Sequence, residues 1–128
     1  MAKLKDYDPS GTNEELIFVL RGYVGQIGET SQVFIDRSDF KIAKKMLINC
    51  EKLFKTSVPS ELVAKTGLLY QVNNNLANLS NRAGDVQASI DYLISALKCA
   101  NDPLLTSKDD LPIAETLLNL ANANIYLN

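Results

Sequence analysis

The chain has 128 residues, 46% of them hydrophobic and 22% charged, with a net charge of −2 and a pI near 5.1. That length suffices for one domain with a sizeable core, and the composition is ordinary for a soluble globular protein. It excludes a generic nucleic-acid binder, which needs a basic footprint to displace counterions, and a membrane-spanning helix, since the longest apolar run is Leu16–Leu20.

Residues 1–11 are charged and carry Pro9 and Gly11. They read as a flexible, solvated leader without a signal-peptide core, which points to an intracellular, cytoplasmic protein. Thr12-Asn13-Glu14-Glu15 has the form of a capping box and opens a helical domain expected over residues 12–128. Leu16, Leu20, Val24 and Ile27 follow at helical spacing and predict a first helix from about Asn13. Within it Gly22, Gly25 and Gly28 recur every third residue, each costing a helix about 1 kcal/mol against alanine. Three outcomes fit this run: a close contact with a neighbouring helix, a broken helix, or a hairpin with Ile17–Leu20 as a strand. It is not a dinucleotide fingerprint, because the G-x-G turn and the strand before it are missing.

Ser38-Asp39 is a capping pair ahead of a clean apolar stripe, Phe40, Ala43, Leu47, Cys50 and Phe54, which predicts the second helix. Its other side carries Lys41, Lys45, Lys52 and Lys55, a basic stripe that is by default a solvated face. Thr56–Ser60 reads as a linker, and Pro59-Ser60 starts a third helix predicted from about Glu61 to Ala83, with Gly84 after its end. Asp85 then caps a fourth helix with the stripe Val86, Ser89, Leu93, Ala96 and Ala100. Asn101–Leu111 is a polar connection containing Pro103. Asp109 or Asp110 caps the fifth helix, with Pro112 in its first turn.

Two internal matches tie these elements together. Asn-Leu-Ala-Asn occurs at Asn75–Asn78 and again at Asn119–Asn122, 44 residues apart. Around the copies, Gln71, Asn75, Asn78 and Arg82 share their spacing with Glu115, Asn119, Asn122 and Tyr126, so each set lies on one face of a helix. The stripe of the second helix, shifted by 46 residues, lands on that of the fourth, Asp39 on Asp85 included. A repeat that covers both helices of a pair predicts an all-α, antiparallel helix-pair stack of about five helices.

At this point a family resemblance is visible. Leu111–Asn122 resembles the opening of tetratricopeptide (TPR) repeats of the kinesin-light-chain type, in which Pro-x-Val-Ala-x-Thr leads into Asn-Asn-Leu-Ala. Asn74-Asn75-Leu76-Ala77 is similar to the second half of that segment, and Gly84-Asp85 with Ser89, Leu93 and Ala96 to the family's turn and second helix. The resemblance spans about residues 39–128 and implies an α-solenoid. It further implies a concave groove in which asparagines of the first helices hold the backbone of an extended peptide. Carried over by position, these are Asn75, Asn78, Asn119 and Asn122, with Asn74, Gln71, Arg82 and Glu115 as neighbours. A carboxamide both donates and accepts, so a row of them suits peptide backbone whatever the side chains. The competing reading is that the amides only bridge adjacent helices.

Catalysis finds no support in the residues. There is no histidine, the two cysteines sit in apolar helical patterns without a base, no phosphate-cradling loop occurs, and no zinc-type spacing is present. Asp109-Asp110 suits a helix cap better than an acid–base pair. No cofactor or metal is implied. The expected function is a non-catalytic scaffold that binds a protein or extended peptide. Its alternatives are a structural subunit of a larger assembly, cytoskeletal or ciliary by fold analogy, and an electrostatic adaptor using the Lys41–Lys55 stripe. The fifth helix is apolar over much of its circumference, which predicts a cover from outside these residues: a further helix of a longer solenoid, a second copy, or an assembly partner.

Overall fold

The computed structural model describes residues 13–106 and 111–127. Among them are six α-helices and no strand: α1 (Glu14–Asp36), α2 (Phe40–Ser57), α3 (Ser60–Thr66), α4 (Leu68–Arg82), α5 (Val86–Ala100) and α6 (Ile113–Leu127). The leader, Thr12 of the expected capping box, and Asp109 and Asp110 lie outside the described residues.

α1 is one continuous helix of 23 residues that runs through all three glycines, so neither a break nor a hairpin forms. Its buried stripe explains this. Leu20, Val24 and Ile35 are almost fully covered, each burial being worth about 1.5–3 kcal/mol. Together these outweigh the glycine cost. Ser31, also buried, donates its hydroxyl to the Gly28 carbonyl at 2.9 Å. Of the three glycines only Gly28 makes a close approach: a Cβ there would meet Asn75 Nδ2 at 2.8 Å, while Gly22 and Gly25 face open space.

α2 follows its pattern closely, with Ala43, Leu47, Cys50 and Phe54 all fully buried. It extends through Ser57, which shortens the expected linker to Val58 and Pro59. Asp39 is its N-cap residue by position but makes no side-chain cap bond. The long third helix expected from Glu61 to Ala83 is instead two helices, α3 and α4, divided at Gly67, and this raises the expected five helices to six. Gly67 has φ +65, a left-handed conformation natural to glycine, and its N–H bonds the Val63 carbonyl. The chain after α5 seals the break. Thr106 donates both its N–H and its hydroxyl to the Lys65 carbonyl, and Leu105 and Leu111 pack on Gly67.

α5 starts as expected: the Asp85 carboxylate accepts from the Ala88 N–H at 3.0 Å. Ser89, Leu93, Ala96 and Ala100 are buried, and the Ser89 hydroxyl bonds the Ala77 carbonyl across to α4. Pro112 stands just before α6 rather than inside its first turn, and its carbonyl accepts from the Thr116 N–H.

α1 packs on α2 and α4, α2 on α4, α4 on α5, and α5 on α6, so the helices form a stack. One apolar cluster joins α1 to α4 around Leu47, Phe54, Val72 and Leu76, with the Tyr23 ring edge-on to Phe54 at 6.1 Å. A smaller cluster of Tyr70, Ala96 and Ala100, with Leu111 and Ile113, holds α6. Cys50 lies in the first cluster as a free thiol, and burial, aided by the nearby Glu51 charge, pushes its pKa up to about 11. No helix is long and apolar enough to cross a membrane among the described residues.

Candidate functional site: an amide-lined cleft between α4 and α6

The two Asn-Leu-Ala-Asn segments face each other. Along α4, Leu76 and Leu79 are drawn into the core, and by helical geometry this leaves Gln71, Asn74, Asn75 and Asn78 on the flank that looks toward α6. On α6, among the described residues, the buried side chain is Thr116, which sets Glu115, Asn119 and Asn122 along the opposing edge.

Two adjoining clefts result. The larger, about 420 Å³, is lined by Gln71, Asn74, Asn75 and Asn78 from α4 and by Glu115 and Asn119 from α6. The second, about 260 Å³, continues from Asn74, Asn78 and Asn119 to Asn122 and Tyr126, with Ser89 and Leu93 of α5 also lining it. Seven of the eight residues read from the sequence therefore line one or both clefts. The eighth, Arg82, does not: it is exposed and pairs with Asp36 of α1 at 3.4 Å.

The amides differ in what they have left to offer. Asn74 is occupied, since its Oδ1 accepts from the Thr116 hydroxyl at 3.1 Å and its Nδ2 donates to the Tyr70 carbonyl at 3.3 Å. Asn78 donates to Gln32 Oε1 of α1 at 2.8 Å, which leaves its own oxygen open. Asn75, Asn119 and Asn122 make no hydrogen bond among the described residues. Helix bridging and an open polar surface thus coexist on one face. The cleft walls carry one formal charge, Glu115, among the residues that line them, so the chemistry on offer is that of neutral donors and acceptors.

Beneath the cleft lies a network that the sequence reading missed. The Tyr70 hydroxyl bonds the Thr116 hydroxyl, which is in turn joined to Asn74. Tyr70 and Thr116 are each 1% exposed, so α4 and α6 meet through buried, satisfied polar groups. The signal is present in the spacing. Tyr70 and Thr116 are 46 residues apart, as are Gln32 and Asn78, and Asp36 and Arg82.

No protein-family model matches the chain, and neither does any curated protein or any solved structure.

Proposed function

We propose that the chain is a non-catalytic binding scaffold which takes an extended peptide, or an extended segment of a partner protein, in the amide cleft between α4 and α6. On this reading the helices are a TPR-like solenoid of two and a half repeats working without a cofactor, and a cytoplasmic setting suits it. The observation that carries the proposal is the convergence of Asn75, Asn119 and Asn122, with amides unspent, on a near-neutral cleft. Such groups complement peptide N–H and C=O without selecting side chains, which is how main-chain recognition works in other peptide-binding modes. The stack also accounts for the three polar bonds between residues 46 apart, since equivalent positions of successive repeats lie beside one another. A non-catalytic role is consistent with a chain that has no histidine and whose thiols are both pushed up by burial, away from the reactive thiolate.

The test is selection of extended peptides from a random decapeptide library on the whole chain, followed by affinity measurements on the Asn119→Ala/Asn122→Ala variant. Two net hydrogen bonds of about 0.5–1.5 kcal/mol each predict a loss of roughly fivefold to a hundredfold in affinity. Because both side chains are exposed, the unfolding midpoint should stay nearly unchanged. Selected peptides that bind the variant equally well, or a variant that unfolds readily, would show the amides to be structural. A second reading, a structural subunit of a larger assembly, is favoured by one observation: Leu118 and Ile125 of α6 are 61% and 73% exposed.

A further inference from the structure

α2 places a concentrated positive charge on an acidic protein. Lys41, Lys44, Lys45, Lys52 and Lys55 are all exposed, and at 100° per residue they fall within an arc of roughly 100°. Lys55 pairs with Glu51 at 3.8 Å; the other four make no salt bridge among the described residues. A solvated face would explain the lysines alone. It does not explain what lies beside them.

At each end of α2 there is a cleft with apolar walls, and lysines of the stripe stand at both. The first, about 320 Å³, is framed by Phe40, Lys41 and Lys44 of α2 and by Ala88 and Tyr92 of α5. The second, about 270 Å³, is framed by Phe54 and Lys55 of α2, Cys99 of α5, and Val63 and Leu69. Both clefts take residues from α2 and α5 in the same order along the chain, so they mark the two ends of a seam along which α2 and α5 run parallel, each packed on α4 rather than closely on the other. Lys41 and Lys55 are 14 residues apart on α2, a separation of about 21 Å. Asp85 and Asp102 at the two mouths accept the Ala88 and Leu104 N–H groups and keep their charge. With Glu51, the partner of Lys55, they set three carboxylates against the five lysines of the stripe, which leaves this face net positive.

We propose that this seam docks an acidic segment of a partner protein, one apolar side chain in each cleft and carboxylates against the lysines between. The segment is extended. Between the clefts α2 sets the charged Glu51 close to Tyr92 of α5, so the continuous apolar face of a docked helix would find no continuous counterpart. An extended chain crosses about 21 Å with roughly six residues. The seam shares no residue with the amide clefts and stands or falls independently of them.

The probe is a fluorescein-labelled peptide with two leucines enclosing a run of aspartate and glutamate that spans this distance, read by anisotropy on the whole chain at low salt. Binding should weaken at least tenfold in the Lys44→Glu/Lys55→Glu variant, whose exposed positions leave helicity unchanged by circular dichroism. It should weaken about as much when the two leucines of the probe become serine, and stay the same in Asn119→Ala/Asn122→Ala. No binding of the probe overturns the proposal, as does binding indifferent to the lysines or to the leucines. So does a chain that ignores the probe yet binds phosphatidylserine vesicles or a single-stranded oligonucleotide, for then the stripe serves a different class of partner.

Discussion

Glycine has different consequences at different positions in this chain. Gly22 and Gly25 lie inside α1 with nothing within 4 Å of where a Cβ would stand, so they contribute only the helix penalty. Replacing either with alanine should stabilise the protein by up to about 1 kcal/mol, seen as a higher urea midpoint at unchanged slope. A loss of stability at either site would mean that α1 is not continuous there. Gly67 is the opposite case. Its φ of +65 disfavours any L side chain, and a Cβ would sit 3.1 Å from Leu105 Cδ1. Gly67→Ala should therefore destabilise by about 1–2 kcal/mol, measured in the same way. In the sequence, Thr66-Gly67 is a weak stop signal. The helical pattern runs through it because one glycine costs a helix too little to end it unaided; the contacts from Leu105, Thr106 and Leu111 end it.

Among the elements, α2 and α6 mark the two extremes. The period of α2 alone places Ala43, Leu47, Cys50 and Phe54 inside, and all four are. α6 carries apolar residues around most of its circumference, so its period cannot say which side is covered. The structure buries Thr116, half-buries Ile113, Leu120 and Ala123, and leaves Leu117 and Tyr126 50% and 77% exposed, along with Leu118 and Ile125. A polar residue is inside and large apolar ones are outside because Tyr70 and Asn74 offer Thr116 hydrogen bonds. Changing Leu118 and Ile125 to lysine should alter stability by less than about 0.5 kcal/mol per site. It should also suppress the concentration-dependent light scattering expected of so large an apolar patch. Equal scattering from the variant and the original chain would show that this face does not drive association.

For the molecule as a whole, the distribution of burial predicts uneven stability. The cluster joining α1, α2, α3 and α4 contains most of the large buried side chains, whereas α6 is held by Ile113, the Tyr70–Thr116–Asn74 network and its contact with α5. Native-state hydrogen exchange should find the amides of Leu47, Cys50 and Leu76 slowest, opening only with global unfolding. Those of α6 should exchange through a local opening of markedly lower free energy. Protection of α6 equal to that of α2 would contradict this picture and require a stronger anchor than the one described. A helix that opens first while forming one wall of the amide cleft would also let a bound peptide stabilise it, so the proposed ligand should raise α6 protection above all other helices.

Helical character and the faces of α2 and α5 were set by local pattern, because a period of 3.6 residues needs no knowledge of what lies opposite. So was the pairing of the Asn-Leu-Ala-Asn rows, since equal spacing 44 residues apart puts like positions on like faces. Tertiary structure alone decided four things: that α1 stays whole across Gly22, Gly25 and Gly28, that the chain turns at Gly67, that Arg82 leaves the amide row to pair with Asp36, and that α6 turns Thr116 inward. Each depends on groups tens of residues away, which add or withhold a kilocalorie or so from choices that the local sequence leaves nearly balanced.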